Sequence, residues 1–149
     1  MSLNKECLIS LGSNIGNRMH YLDQAKLLIS IHPEIHIEKE SSIIETAPLE
    51  VMNQPKFMNS IVKIRTHLAP ECLLEVFQDI EFKIGRIKRY DKGPREIDID
   101  ILSYANIRLN TDFLTLPHHS LFTRPFIREL IEEIGEEKIY GKIGEYIYA

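Results

Sequence analysis

The chain has 149 residues, an ordinary apolar content and a net charge of −4. This length predicts one domain, residues 1–149, with enough chain to bury a real core. The negative charge argues against a large nucleic-acid interface, which is normally basic. Cys7 and Cys72 lie far apart without metal or redox spacing, so we expect a reduced, cytoplasmic protein. We also expect no membrane association, because neither a signal-peptide pattern nor a long apolar run is present.

The first half of the chain predicts strand, helix, strand. Cys7 to Leu11 forms a short apolar strand that ends in the turn residues Gly12-Ser13-Asn14. Apolar residues from Tyr21 to Ile29 recur at helical spacing, and Pro33 ends that helix. A second strand is predicted from Ile35 to Ile44.

The second half repeats the pattern after a proline-containing loop from Thr46 to Gln54. Phe57 to Thr66 is the third strand, and Pro70 sits in the first turn of a second helix that ends at Gly85. Glu96 to Leu102 is the fourth strand. The resulting order, β-α-β-β-α-β, is the ferredoxin-like α+β pattern, with an antiparallel sheet and two helices on one face.

A C-terminal extension follows these six elements. It contains a short hairpin around Asn106 and Asn110 and a last helix from about Thr123 to Ile134. The tail, Gly135 to Ala149, has little periodicity. Because the two predicted helices cover one face of the sheet, we expect the other face, or its loops, to carry the function.

The clearest chemical signal is the alternation of charged and apolar residues in the fourth strand. A strand places residues i and i+2 on one face. The alternation therefore separates three carboxylates from three isoleucines: Glu96, Asp98 and Asp100 against Ile97, Ile99 and Ile101. Asp98 and Asp100 are roughly 6.6 Å apart at Cα, and carboxylates this close repel unless a cation lies between them. Mg²⁺ suits the arrangement, because one or two carboxylates plus substrate phosphates usually hold it.

Basic residues precede this strand in a loop that contains Gly93 and Pro94: Arg86, Lys88, Arg89, Lys92 and Arg95. Cations beside the carboxylates predict a polyphosphate site. Two alternatives remain open, an ordinary amphipathic strand with a solvated acidic face and a solvated helix end whose cations complement the helix dipole. The helix-end reading explains Lys88 and Arg89 better than Arg95.

Three other segments are weaker candidates. Residues 12–16 superficially resemble a phosphate loop but lack its Gly-Lys-Ser/Thr ending, so we interpret them as a turn that caps the first helix. Phe57 could stack on a flat heteroaromatic substrate while Asn59 bonds its edge, or Phe57 could belong to the core. His118 has no metal-binding spacing and gains interest only from Arg124, six residues on.

Five motifs together resemble 6-hydroxymethyl-7,8-dihydropterin pyrophosphokinase of folate synthesis. They are LGSNIGNR, TAPLE with QPKFMNS, EFKIGR, GPREIDIDIL and LPHHSLFTRPF, in the family's order over roughly residues 5–130. The resemblance implies the ferredoxin-like fold. It also implies transfer of a pyrophosphoryl group from ATP to the pterin hydroxymethyl oxygen, with release of AMP.

The resemblance also implies roles for individual residues. Asp98 and Asp100 would hold two Mg²⁺ ions, and Arg86 and Arg95 would join them as catalytic residues that neutralise phosphate charge. The ATP positions would be Gln78, Glu81, Lys88, Ile101, Thr115, His118, His119 and Arg124. The pterin positions would be Thr46, Ala47, Pro48, Leu49, Phe57, Asn59 and Phe126, with the two rings on either side of the pterin.

One departure from the family pattern concerns the loop before the acidic strand. The family commonly has an aromatic residue directly before Gly-Pro-Arg, where this chain has Lys92, with Tyr90 two residues earlier. Which of the two takes the stacking role is open. We expect a monomer that acts on ATP and hydroxymethyldihydropterin. The alternative is a non-catalytic ferredoxin-like module that binds a small ligand or RNA, although the first strand lacks the aromatic residues that RNA stacking needs.

Overall fold

The computed structural model describes residues 5–48 and 53–148. A five-stranded antiparallel sheet lies at its centre, formed by β1 (Lys5–Ser13), β2 (Ile35–Glu40), β3 (Ile44–Thr46), β4 (Phe57–Thr66) and β5 (Asp98–Tyr104). Four strands lie in the order β2-β4-β1-β5, and β3 pairs with the other end of β4. This is the strand order of the ferredoxin-like fold, so the predicted fold class is confirmed.

Two helices cover one face of this sheet and enclose the main core. They are α1 (Arg18–Ser30) and α2 (Pro70–Ile84), whose buried side chains meet Ile97, Ile99 and Ile101 as the alternation predicted. Pro70 begins α2, and Gly85 ends it in the left-handed conformation with φ 109°, which glycine adopts without strain. These chain signals placed both ends of α2 correctly.

The opposite face carries a second core beneath the C-terminal helices. These are α3 (Ser120–Thr123), α4 (Pro125–Glu133) and α5 (Ile139–Lys142). Apolar residues of the sheet and of these helices meet there: Leu8, Ile61, Leu102, Leu121, Ile127, Leu130 and Ile131. The face predicted to be free for function is therefore covered over its middle.

Two predicted elements differ from the structure. The single last helix is wrong, because Arg124 has an extended backbone, as residues before proline prefer, and separates α3 from α4. The single second strand is also wrong. Between β2 and β3, the Ser41 N–H donates to the Ile61 carbonyl of β4 at 2.9 Å, and the Ser41 hydroxyl accepts the Ile61 N–H at 2.8 Å. A side-chain hydrogen bond therefore replaces part of the backbone pairing with β4 at this point.

A small second sheet orders the end of the chain. It consists of β6 (Ile107–Asn110), β7 (Thr115–Leu116) and β8 (Ile147–Tyr148), and β6 pairs antiparallel with β7 and parallel with β8. A 3-10 turn, Ile143–Glu145, precedes β8. Over residues 5–48 and 53–148, no helix combines the length and apolarity that crossing a membrane requires.

Candidate active site

Asp98 and Asp100 lie at the start of β5 on the face opposite the main core. Gly12 of β1 is paired with Asp98 on one side and with Asn59 of β4 on the other. A Cβ atom at Gly12 would lie 3.3 Å from Asn59 Oδ1, so glycine permits the close approach of these groups. Burial, followed by the negative charge and hydrogen bond of Asp98, raises the pKa of Asp100 well above its ordinary value of 3.8.

Two arginines approach Asp98 from the basic loop, residues 86–95, which connects α2 to β5. Arg86 Nη1 lies 3.1 Å from Asp98 Oδ1, and Arg95 Nε lies 3.5 Å from Asp98 Oδ2. Arg95 Nε is buried and has no hydrogen-bond partner among the described residues. The structure thus brings the four predicted catalytic residues together.

Glu81 holds Arg86 in this arrangement. Its carboxylate accepts the Ile99 N–H at 2.8 Å and lies 3.0 Å from Arg86 Nη1. Burial, only partly offset by the charge of Arg86, raises the pKa of Glu81 to about 7. The contacts of this predicted ATP position therefore tie the end of α2 to β5 and to Arg86.

Glu96 does not share the acidic face, contrary to the prediction. Regular β-structure begins only at Asp98, so the alternation does not extend back to Glu96. Glu96 is buried in a two-pronged ion pair with Arg89, whose Nη2 lies 2.6 Å from Glu96 Oε2, and it also accepts the Ile87 N–H. The Arg89 hydrogen bond lowers the pKa of Glu96 to about 2. The interpretation of Arg89 as a solvated residue at the helix end is likewise wrong, because its guanidinium pairs with Glu96 across the basic loop.

The basic loop and the end of α2 enclose a cavity of about 420 Å³. Three predicted ATP positions line it: Gln78, Glu81 and Lys88. The Tyr90 ring packs against Gly93, where a Cβ atom would lie 2.8 Å from the ring, and Tyr90 also lines the cavity. Lys92 instead uses its carbonyl to accept a hydrogen bond from Gln54 Nε2 at 3.0 Å.

Asn14 joins the segments around the site, a role that sequence reasoning missed. Its side chain is buried, donates to Gln54 Oε1 at 2.8 Å and accepts the Arg95 N–H at 2.8 Å. The Asn14 N–H donates to the Arg95 carbonyl. Asn17, rather than the residues before it, caps α1 by accepting the His20 N–H. Only the family motif contained a signal for Asn14, since its partners are distant in the chain.

The predicted pterin positions line a narrow cleft of about 20 Å³, together with Arg95 and Arg124. They are Thr46, Ala47, Pro48, Phe57, Asn59 and Phe126, whereas Leu49 lies outside the described residues. The Arg95 guanidinium lies 4.9 Å from the centre of the Phe57 ring and occupies its face. Asn59 Nδ2 donates to Thr46 Oγ1 at 2.6 Å, so the Asn59 carbonyl oxygen is oriented away from Thr46.

The remaining ATP positions line a third cavity of about 280 Å³ beside Asp100. They are Ile101, Thr115, His118 and His119, whereas Arg124 lies in the pterin cleft. His118 Nδ1 accepts the Ser120 N–H at 3.1 Å, so a neutral His118 carries its proton on Nε2. Burial and then the neighbouring His119 lower the pKa of His118 to about 4, which keeps the ring neutral as a hydrogen-bond donor.

The acidic pair suits Mg²⁺. No group of three or more His, Cys, Asp or Glu residues gathers for a metal within the described ranges, so Asp98 and Asp100 would act as a pair of carboxylates. Mg²⁺ is commonly held by one or two carboxylates plus substrate phosphates. A bound divalent cation would stabilise the ionised form of Asp100. It would therefore offset the effects of burial and of the Asp98 charge, which raise the pKa of Asp100.

Comparison with known families agrees with this geometry. The model of the family described as 7,8-dihydro-6-hydroxymethylpterin-pyrophosphokinase (HPPK) matches residues 8–136 of the chain. The chain belongs to the HPPK family. The matched range includes both aspartates, both arginines predicted to be catalytic and every predicted pterin position.

Individual relatives support the same family. A Bacillus subtilis protein named 2-amino-4-hydroxy-6-hydroxymethyldihydropteridine pyrophosphokinase is 39% identical over 135 residues, which cover 91% of this chain and 81% of the relative. A mitochondrial folate synthesis bifunctional protein of Pisum sativum is 42% identical over 124 residues, 83% of this chain and 24% of the relative. This HPPK-family chain therefore spans about a quarter of the Pisum sativum protein.

Solved structures agree in fold. A Plasmodium falciparum HPPK-DHPS structure with pteroate superimposes with a TM-score of 0.67 at 15% identity, over 97% of this chain and 40% of that chain. At this identity the match supports the fold alone. It agrees with the ferredoxin-like strand order of this HPPK-family chain.

Proposed function

We propose that this chain transfers a pyrophosphoryl group from ATP to 6-hydroxymethyl-7,8-dihydropterin in folate synthesis, forming the pterin diphosphate and AMP. The observation that carries the proposal is the pairing of Asp98 and Asp100 beside Arg86 and Arg95, between the pterin cleft and the 280 Å³ cavity. Such a transfer needs in-line positioning and charge stabilisation more than covalent help from the protein.

The nucleotide would lie along the free edge of β5. Asp100 and His118 line the 280 Å³ cavity together, so phosphate-side and base-side contacts fit in one continuous space. Ile99 directs its N–H away from β1 to Glu81. Ile101, two residues on in the same strand, therefore presents its backbone groups at the same edge, where a purine base can accept and donate hydrogen bonds.

Asp98 and Asp100 would hold Mg²⁺, with two ions as the family resemblance implies. When bound, Mg²⁺ neutralises phosphate charge and lowers the pKa of an oxygen it coordinates. Arg86 and Arg95, which now contact Asp98, would turn to phosphate oxygens when ATP arrives. Arg95 Nε is held only by its 3.5 Å contact with Asp98 and makes no hydrogen bond among the described residues, so it can be given up to a phosphate oxygen.

The pterin would enter between Phe57 and Phe126. Arg95 covers the Phe57 ring and the cleft holds only about 20 Å³, so Arg95 must leave before a flat ring can stack there. Asn59 donates to Thr46, which leaves its carbonyl oxygen to accept a pterin N–H. Movement of Arg95 to the phosphates would therefore also open the pterin cleft.

The basic loop would then close over both substrates and exclude water, which competes as a nucleophile. Tyr90 is the aromatic residue placed to cover the substrates, because its ring already lines the loop cavity. We propose that the enzyme acts as a monomer. The two unpaired cysteines support the cytoplasm as its location. No observation favours the non-catalytic alternative.

The proposal is tested by identifying the nucleotide product. The chain is incubated with ATP, Mg²⁺ and 6-hydroxymethyl-7,8-dihydropterin, and the products are separated by chromatography. We expect AMP and pterin diphosphate in equal amounts, and neither product when the pterin or Mg²⁺ is omitted. Formation of ADP, or no pterin-dependent product, would contradict the proposal.

A further inference from the structure

Phe113 is an exposed aromatic residue on a well-defined turn. Its side chain is 87% exposed. Thr111 Oγ1 accepts the N–H groups of Phe113 and Leu114 at 3.3 and 3.0 Å, and the Thr111 N–H donates to the Leu114 carbonyl. Leu114 is buried in the main core. The turn therefore holds the Phe113 ring outward on an anchored backbone.

The ring borders the 280 Å³ cavity that also contains Asp100 and His118. This cavity has two kinds of lining. Polar groups come from Asp100, Thr111, Asp112, Thr115, His118 and His119, and apolar groups from Leu74, Ile99, Ile101, Phe113 and Leu114. A nucleotide has the same division, because its phosphates are charged and its base has two flat, weakly polar faces.

We propose that Phe113 is a further nucleotide-binding residue, whose ring packs against the base of ATP. The inference rests on the proposed function, since it takes a nucleotide as the occupant of this cavity. With the phosphates near Asp100, the remaining apolar lining is left for the base. An aromatic ring beside a base contributes by stacking, and its removal weakens binding by about 10-fold or more.

Phe122 provides a matched control. It is also an exposed phenylalanine, at 58%, but it lies in α3 and does not line this cavity. Phe113→Ala removes the ring, and Phe113→Trp keeps a flat aromatic surface. Because both side chains are exposed, none of these changes opens a cavity in the core, and thermal unfolding checks that each variant is folded.

The test compares two ligands by calorimetry in the presence of Mg²⁺. One is a non-hydrolysable ATP analogue, and the other is inorganic tripolyphosphate, which has no base. We expect Phe113→Ala to weaken the analogue by about 10-fold and to leave tripolyphosphate unchanged. Phe113→Trp should bind both like the wild type, and so should Phe122→Ala.

Two results for Phe113→Ala would overturn the proposal. Wild-type affinity of Phe113→Ala for the analogue would mean that the ring does not touch the base. An equal loss for both ligands would mean that the ring supports the cavity instead. If the wild type binds the analogue but produces no AMP, the proposed transfer fails and the Phe113 contact stands. If the wild type binds neither ligand, both proposals fail.

Discussion

Two groups of buried charge share one face of the central sheet, and they are built differently. At one end, Asp98 and Asp100 lie side by side, and among the described residues the two arginines of the basic loop contact only Asp98 of the pair, so the negative charge of the pair is not fully balanced. At the other end, Lys63 is 5% exposed and its Nζ lies 3.0, 3.2 and 3.3 Å from carboxylates of Glu6, Glu38 and Glu136. The apolar second core, with Ile61 and Leu8, separates the two groups along β4 and β1.

The pKa shifts at the two ends have opposite directions. Burial would raise the pKa of Glu136, but hydrogen bonds from Lys39 and Lys63 lower it, and the Arg65 hydrogen bond lowers the pKa of Glu38. At the acidic end, burial and Asp98 raise the pKa of Asp100. A charge cluster that stabilises the fold satisfies its own members, whereas a ligand site keeps an imbalance that its ligand resolves.

Replacement of Asp100 gives the largest expected effect on turnover. Asp100→Asn keeps the shape but removes a charge that would hold Mg²⁺, so we expect turnover to fall by about 1,000-fold, equivalent to several kcal/mol of transition-state stabilisation. Thermal unfolding without Mg²⁺ should be unchanged or occur at higher temperature, because a repulsive pair is removed. Wild-type turnover would exclude Asp100 as a Mg²⁺ ligand. A large loss of stability would show that Asp100 stabilises the fold, as the Lys63 cluster does, and would contradict the comparison.

Arg95→Ala distinguishes chemistry from binding at the same end. Because Arg95 would meet phosphate charge that develops during transfer, we expect kcat to fall by about 100-fold with a smaller rise in the KM for ATP. Steady-state kinetics with both substrates measures the division. A change confined to KM would show that Arg95 contributes only to binding. Lys83→Ala, a change at an exposed lysine in the last turn of α2, is the comparison for nonspecific loss of positive charge.

Lys63→Met should reverse the pattern and affect stability rather than turnover. It leaves three carboxylates without their shared cation, so we expect a loss of about 3 kcal/mol in the free energy of unfolding, the low end for breaking a buried pair because Glu6 and Glu38 are partly exposed. Denaturant unfolding measures the loss, and kcat of the folded fraction should remain unchanged. A drop in kcat with unchanged stability would contradict the assignment of this cluster to the fold.

Acid titration should show the smallest effect and sharpen the same comparison. The folded chain lowers the pKa of Glu38 and Glu136 below their ordinary value of 4.5, so these carboxyls release their protons more readily when folded. Their contribution is therefore present above pH 4.5 and is lost as the pH falls through the lower folded values. The free energy of unfolding should decline over that range, and Lys63→Met should make the decline shallower. An unchanged slope in Lys63→Met would show that Lys63 does not lower these pKa values.

Much of the fold could be predicted because its signals are local. The alternation in β5 separated Asp98 and Asp100 from the buried isoleucines, and Pro70 and Gly85 marked both ends of α2. The failures occur where a distant partner decides the outcome. Ser41 interrupts a strand by bonding Ile61, twenty residues away, which no local pattern reveals.

The site follows the same division. Its residue types were predictable from their spacing and from the family motifs, but their pairings were not. The alternation of the sequence placed Glu96 on the same face as Asp98, but the ion pair of Glu96 with Arg89 removes it from that face. Asn14 holds Arg95 across 81 positions of the chain, so only the folded structure shows why the basic loop and the first turn belong to one site.

The most direct test of the central claim follows the β-phosphorus of ATP. If Asp98 and Asp100 assemble a site for pyrophosphoryl transfer, ATP labelled at the β-phosphorus should pass its label to the pterin, and the released AMP should carry none. Retention of the label in ADP, with only the γ-phosphorus on the pterin, would contradict the account.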